Sequence, residues 1–578
     1  MAHNYLVLSD LHLSEGVDPH SGKLSRNEDF FHDDAFASLL GYHLALGRRE
    51  DAADHYGRPW KLIINGDIFD FLQVTALPAE GDELEAVTGV RTYAELTANE
   101  RRYGLGTTAP ETVWKLDRIK AGHALFFRAL GWFLAANPDN ELILIKGNHD
   151  VELFWPAVQR RLRELVAEAY AAWHEEAEGG QHPDHPLWYD RSFPATLDPS
   201  DLRTRLRFPP WFYHERDLLY AEHGNQYDPA NAFVDFLKPI LPEDESRPQE
   251  RQRVALPSGS LFVRYLFNQV EDVHPFADNM KPMTSYLRWA FTKEPLATLR
   301  LLITNRRQLP DIIGNLLEKR ADPVRGQPEL RESLARPTPM ADSDEEMVRG
   351  ADEPQLPLSR QRRAAIQEMR KEHLKQASER STAVAQGTVQ GIAFNAGVFL
   401  WLGRMIRNFI DRKYGRMLVD LGLAAASFVL STVRAREIEE IEDYARLRQV
   451  GQKVCEILNR PDGRGRRSST RYHLFGHDHI PDVTRLEDDS DNHPDYTQWY
   501  VNTGCWLATF HERTQLTRGH VQLTFFRLVP GLNDDGDAPP LLEWRPERGS
   551  ARPALLFTPP QGAPPAPLPD PQEASISN

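Results

Sequence analysis

Cysteine is nearly absent: Cys455 and Cys505 are the only two in 578 residues, too few for a disulfide framework and suited to a reducing compartment. A basic balance is lacking too. The formal net charge is -16, with Lys+Arg 68 against Asp+Glu 84. That counts against a protein that coats nucleic acid through a basic stripe, although a local basic groove stays open. Met1 to Asn4 leads straight into Tyr5-Leu6-Val7-Leu8 with no basic leader, long apolar segment or small-residue cleavage site, so a cytoplasmic protein is expected. Long hydrophobic runs are scarce. Ser381 to Gly403 is uncharged and of membrane-spanning length, but Gln386, Gln390, Asn395 and several glycines dilute it. A buried helical hairpin is the favoured reading, and peripheral contact of 381–433 with the inner face of a membrane is the other.

What the chain has is a repeated pattern. Short apolar runs, of the kind found in strands covered on both faces, each end in polar residues. Tyr5 to Leu8 leads into Ser9-Asp10-Leu11-His12, and Lys61 to Ile64 into Asn65-Gly66-Asp67-Ile68-Phe69-Asp70. Leu142 to Ile145 leads into Lys146-Gly147-Asn148-His149-Asp150, Leu218 to Ala221 into Glu222-His223-Gly224, and Tyr472 to Phe475 into Gly476-His477-Asp478-His479. Each cluster alone has an ordinary explanation, such as an Asx turn or a helix cap before Val151. Together they supply ligands for two metal ions at strand ends, where open α/β sheets place their sites. Extended backbone would turn Asp10 and His12 to the same side.

Between these runs, helices are expected at Asp33 to Arg49, Glu111 to Ala136 and Val151 to Glu178, with an irregular excursion from Leu77 to Pro110. Strands are expected at Arg205 to Glu215, Tyr496 to Val501, Leu507 to Glu512 and His520 to Val529, with Asn502-Thr503-Gly504 as a turn. Phe233 to Ile240, Ser260 to Val270, Met283 to Phe291 and Leu296 to Glu318 read as helices, Ala321 to Arg363 as disordered, and Arg434 to Leu458 as a surface helix. The expected organisation is a catalytic core in two parts, 1–232 and 461–532, a helical insertion or cap at 233–460, and a largely disordered Pro-rich tail at 533–578. Because both flanking strands deliver candidate ligands, the insertion must leave and rejoin the core beside them. Its aromatic residues, including Phe262, Tyr265, Trp289, Phe399 and Trp401, would suit a cap over a greasy group.

Asp10-x-His12, Gly66-Asp67-x-x-Asp70, Gly147-Asn148-His149-Asp150, His223-Gly224 and Gly476-His477-x-His479, in this order, resemble the calcineurin-like metallophosphoesterase superfamily. The resemblance covers roughly the first 230 residues and those from about 470 to 530. It implies a layered α/β fold, a double β-sheet sandwich flanked by helices, here with a large helical insertion. It implies two divalent metal ions, one held by Asp10, His12, Asp67 and His479, the other by Asp67, Asn148, His223 and His477. Asp67 would bridge ions about 3.5 to 4 Å apart. Mn is the expected metal, and Fe, Zn or Co would suit the same donors. The implied reaction is hydrolysis of a phosphate monoester, diester or pyrophosphate by a hydroxide held between the metals. His149 would act as acid or charge stabiliser, oriented by Asp70.

Phe475 to Pro481 and Tyr500 to Trp506 look most like the bacterial branch that contains UDP-2,3-diacylglucosamine pyrophosphatase. That branch has Arg where this chain has His149, and its chains are far shorter, so the expected substrate stays a small or lipid-linked phosphate ester. A nuclease using the same centre, or a scaffold with a structural metal site, are the alternatives; the acidic charge makes nucleic acid the weaker partner.

Overall fold

Side-chain alternation decides the layers. In Asn4–Leu8 (β1), Tyr5 and Val7 face one hydrophobic cluster while Leu6 and Leu8 face another, and all are buried. Trp60–Asn65 (β2) and Glu141–Ile145 (β3) repeat the pattern: Ile63, Ile143 and Ile145 join Tyr5 and Val7, whereas Leu62, Ile64, Leu142 and Leu144 join Leu6 and Leu8. A period of two with both faces apolar is the mark of a strand buried on both sides.

The computed structural model describes residues 3–178, 193–268, 447–459, 470–486, 497–509, 520–532 and 539–556, apart from 20, 26, 48–53, 229 and 555. These residues form an α/β fold with two mixed sheets flanked by helices. Leu206–Arg207 (β4) lies beside β3 at one end of a seven-stranded sheet that runs β4, β3, β2, β1 and then Thr524–Leu528 (β12), Leu541–Arg545 (β13) and Ser550–Pro553 (β14). β1 to β4 are parallel, and β1 is also antiparallel to β12, with Tyr5 opposite Leu528. The five-stranded sheet contains Phe212–Glu215 (β5), Leu219–Glu222 (β6), Tyr472–Phe475 (β7), Pro481–Leu486 (β8) and Gln498–Thr503 (β9), in the order β5, β6, β7, β9, β8. A shared core of Tyr5, Val7, Ile63 and Ile143 from one sheet with Leu219, Ala221, Leu474 and Val501 from the other joins them face to face. Helices Asp33–Leu46 and Ala124–Ala136 bring Phe36, Leu39, Phe126 and Leu130 into the second cluster, which covers the other face of the larger sheet.

Several expectations need correction. The stretch from Glu111 to Ala136 is two helices, Ala109–Gly122 and Ala124–Ala136, broken at His123. The excursion from Leu77 to Pro110 contains helices Asp82–Thr88 and Ala98–Tyr103, the second started by a reciprocal cap between Thr97 and Glu100. Phe233 to Ile240 is not helical, because the Asp235 carboxylate takes the N–H groups of Leu237 and Lys238 in a turn just before Pro239. Asn502 and Thr503 belong to β9 and the turn falls at Gly504, while the strand expected at Leu507 to Glu512 appears as Ala508–Thr509 (β10), antiparallel to His520–Val521 (β11). The described part of the expected surface helix, 447–459, is packed down: Leu447, Val450, Val454 and Leu458 are buried, and Gly451 lies against Tyr500 of β9. The tail expected from 533 supplies β13 and β14, so the sheet extends well past 532. Residues 269–446, including the expected disordered segment, the uncharged stretch and most of the insertion, lie outside the described residues, as do 557–578. Among the described residues no helix is long and apolar enough to cross a membrane.

At the break, His123 is held between two carboxylates. Its buried ring sits with Nδ1 3.0 Å from Asp33 Oδ2 and Nε2 3.1 Å from Glu28 Oε2. Glu28 Oε2 also accepts the N–H groups of Ser14 (3.1 Å) and Gly16 (2.7 Å), which fixes the loop after His12. Burial works against charge on His123, but Asp33 and Glu28 outweigh it and raise its pKa to about 9. The unfolded value is near 6.5, so this raised group contributes stability that is full below pH 6.5 and disappears as pH climbs through about 9. We predict that, between pH 6 and 9.5, wild-type protein loses on the order of 3 kcal/mol of unfolding free energy that His123→Gln does not lose. Urea midpoints for both proteins across that range check it; parallel curves would show that His123 is not charged in the fold.

Candidate metal centre

The parallel strands β1, β2 and β3 of one sheet and β6 and β7 of the other carry the candidate ligands at their carboxyl ends. Among the described residues six non-glycine residues have positive φ, and five of them are candidate ligands: Asp10 (55°), His12 (52°), Asp67 (50°), His477 (76°) and His479 (63°). Left-handed backbone costs such residues about 1 to 3 kcal/mol each and gathers at functional sites. Extended alternation therefore does not bring Asp10 and His12 together, as the sequence reading expected; two left-handed turns do.

The side chains meet in three overlapping groups that could hold a metal ion: Asp10, His12 and His479; His12, Asp67 and His149; Asp67, His223 and His477. His479 Nε2 lies 3.3 Å from Asp10 Oδ1 and 3.2 Å from His12 Nε2. Asp67 Oδ2 lies 3.0 Å from His223 Nε2 and 3.8 Å from His12 Nε2, between the two outer groups. His223 Nδ1 donates to the Asn65 carbonyl at 2.8 Å, which leaves Nε2 to face Asp67. Asp70 Oδ2 serves two rings, His149 Nδ1 at 2.5 Å and His12 Nδ1 at 3.4 Å. Asn148 adjoins the centre through His149, whose N–H donates to Asp67 Oδ1 at 2.9 Å. The Asn148 Oδ1 atom is buried and accepts no hydrogen bond among the described residues. Carboxylates, imidazoles and a spare amide oxygen together suit a borderline divalent ion.

The loops are braced against one another. Leu11 and His12 donate their N–H groups to the Asp67 carbonyl, and Asp70 donates to Leu13. Asp150 does not use its side chain to cap the turn that follows it. It instead accepts from Gly147 (2.6 Å) and Ile68 (2.8 Å), tying the β2 loop to the β3 loop. At Gly147 and Gly476 candidate ligands occupy the space of a side chain: a Cβ would stand 2.1 Å from Asp67 Oδ1 at the first and 2.6 Å from Asp10 Oδ2 at the second.

Burial would raise the acids, yet the surrounding imidazoles prevail. His223 and His479 hold Asp10 well below the usual carboxylate range, His223 and His149 do the same to Asp67, and His149 and His12 bring Asp70 to about 2. Burial would lower His223, but Asp67 and Asp10 raise it to about 10. His477 is lowered by its burial in spite of Asp228. The cluster is thus a set of ionised carboxylates that demands positive charge.

Both described ends of the insertion touch this centre. Ser260 Oγ donates to the Asn148 carbonyl at 3.0 Å. On the return side Leu447 packs against Gly224, next to His223, and Arg448 Nη2 bonds Asp482 at 2.9 Å. Asp228, Asn231 and the bracing role of Asp150 are not visible in the sequence, since single polar residues in loops carry no spacing signal, and neither does Ser260, a single polar residue in the short helix Ser258–Phe262. Comparison with protein-family models, curated proteins and solved structures finds no match for the chain.

Gly147→Ala should disrupt the centre by pushing a methyl group into the Asp67 carboxylate. We predict that it and Asp67→Ala both lose metal from both positions, whereas His479→Ala mainly affects the position built on Asp10 and His12. Elemental analysis after gel filtration checks this, and full occupancy in Asp67→Ala would refute the shared role of that carboxylate.

Proposed function

We propose that this chain is a metal-dependent phosphoesterase of the calcineurin-like metallophosphoesterase type, hydrolysing a phosphate monoester, diester or pyrophosphate bond. The observation that carries the reading is the convergence of ligand candidates from separate strand ends, five of them on left-handed backbone. In this reading Asp10, His12, Asp67 and His479 hold one divalent ion and Asp67, Asn148, His223 and His477 the other. Mn is the expected metal, and Fe, Zn and Co suit the same donors. When bound, the pair supplies Lewis acidity toward the phosphoryl oxygens and the attacking water.

The remaining work falls to side chains. Asp70 orients the His149 ring through Nδ1, and His149 is only partly buried. Protonated at Nε2, it gives that proton to the departing oxygen, so the leaving group departs as an alcohol and not an alkoxide. Asp70 also touches His12, so one carboxylate sets the orientation of both the acid and a metal-ligand ring. The substrate class consistent with the sequence pattern is a small or lipid-linked phosphate ester.

Turnover of bis(para-nitrophenyl) phosphate with Mn2+, lost on chelation and restored by added Mn2+, is the expected result; no turnover on any phosphate ester in a panel would overturn the reading. We further predict that His149→Ala retains both metals and lowers turnover about 100- to 10,000-fold. The loss should shrink as the leaving group becomes a weaker base. An equal loss for alkyl and nitrophenyl esters would assign His149 to substrate positioning.

A further inference from the structure

The segment after His223, Gly224 to Asn231, takes no part in the ligand set, yet it touches two members of it from different loops. Asp228 Oδ2 lies 3.2 Å from His477 Nε2 and accepts the Asn231 amide at 2.6 Å. Asn231 Oδ1 in turn lies 3.5 Å from Asn148 Nδ2. Asp228 and Asn231 are themselves held: Asp228 Oδ1 accepts the Ala230 N–H at 2.9 Å, the Asn231 N–H donates to the Asp228 carbonyl at 3.0 Å, and Asn225 Nδ2 donates to the Asn231 carbonyl at 3.0 Å.

The chemistry of these groups allows one arrangement of donors. An ionised carboxylate only accepts, so His477 must present Nε2–H to Asp228, and Asn231 must present its NH2. That leaves Asn231 with its oxygen toward Asn148, which must then present its own NH2. Reversing Asn148 would set two amide oxygens against each other. The consequence falls on the far side of each ligand: His477 is left with a lone pair on Nδ1, and Asn148 with a free Oδ1, the buried atom that accepts no hydrogen bond. Both are the forms a cation needs.

We propose that Asp228 and Asn231 are positioning residues that set the tautomer of His477 and the amide orientation of Asn148, making Nδ1 of one and Oδ1 of the other available to a divalent cation. This rests on the reading of the cluster as a metal centre. One carboxylate thereby prepares two ligands of the position that also includes His223.

The test is Mn2+ binding to the chelator-stripped full-length protein, followed by calorimetry and by electron paramagnetic resonance, which separates a spin-coupled Mn pair from an isolated ion. Asp228→Asn keeps the shape but no longer dictates the polarity. It should weaken one of two Mn2+ sites about 10- to 100-fold, convert the coupled signal to an isolated one, and leave the melting temperature of the metal-free protein unchanged. Asn231→Ala, which cuts the relay to Asn148 and spares His477, should weaken the same site less. Wild-type binding at both sites in Asp228→Asn would overturn the proposal, as would equal loss at both sites with a lowered metal-free melting temperature. Wild-type protein that binds no Mn2+ would overturn the metal centre itself, and this inference with it.

Discussion

The Asp67 carboxylate is the constraint that the rest of the centre answers to. It is removed from water beside two more buried acids, Asp10 and Asp70, and like charges at such range are tolerated only with positive charge among them. One oxygen is fixed by the His149 backbone; the other stands between the rings of His223 and His12. Side chains from both sheets must reach this small volume, and strands about 4.8 Å apart cannot deliver them by alternation alone. Left-handed turns re-aim Asp10, His12, Asp67, His477 and His479, glycine yields space to the carboxylates at 147 and 476, and Asp150 locks two of the loops together. The two-sheet core carries the conformational cost of this arrangement.

Much of the scaffold was legible because β1, β2, β3, β6 and β7 are apolar runs that stop abruptly at polar residues. Runs of that kind report burial on two faces, and burial on two faces reports a central strand. The strands β13 and β14, at one end of the larger sheet, carry no such signal. Glu543, Arg545 and Arg552 interrupt their hydrophobic pattern, and in the fold Arg552 pairs across the strands with Glu543 at 3.0 Å; the partner on the next strand turns apparent loop composition into a ladder. The helix at 447–459 was misread for a related reason: its charges are easy to see, whereas its buried stripe of Leu447, Val450, Val454 and Leu458 only has meaning once Tyr500 lies beneath it.

The candidate site divides along the same line. Which residues gather was readable from their repeated position after strands. How they gather was not, since backbone handedness at Asp10 and His12 comes from the crowding of loops that meet only in three dimensions. The insertion was expected to leave and rejoin the core beside the ligand candidates; of it only 233–268 and 447–459 are described, and there Ser260 bonds Asn148 and Leu447 lies against Gly224. Asp228 and Asn231 stayed hidden because orientation of a ring or an amide leaves no trace in spacing.

β1 occupies the middle of the larger sheet, with a parallel partner close behind it in sequence and an antiparallel partner, β12, at the far end of the chain. Asp10 likewise receives the N–H of a residue 467 positions later. During synthesis at about 5 to 20 residues per second, one edge of β1 therefore waits roughly half a minute or more for its neighbour, with its hydrogen-bonding groups unpaired. For most of that interval Asp10 and His12 are on the ribosome without His477 and His479. The assembled set of candidate ligands is a late product of translation, so a chain interrupted anywhere before β7 has no means of completing it, however well its first half has folded.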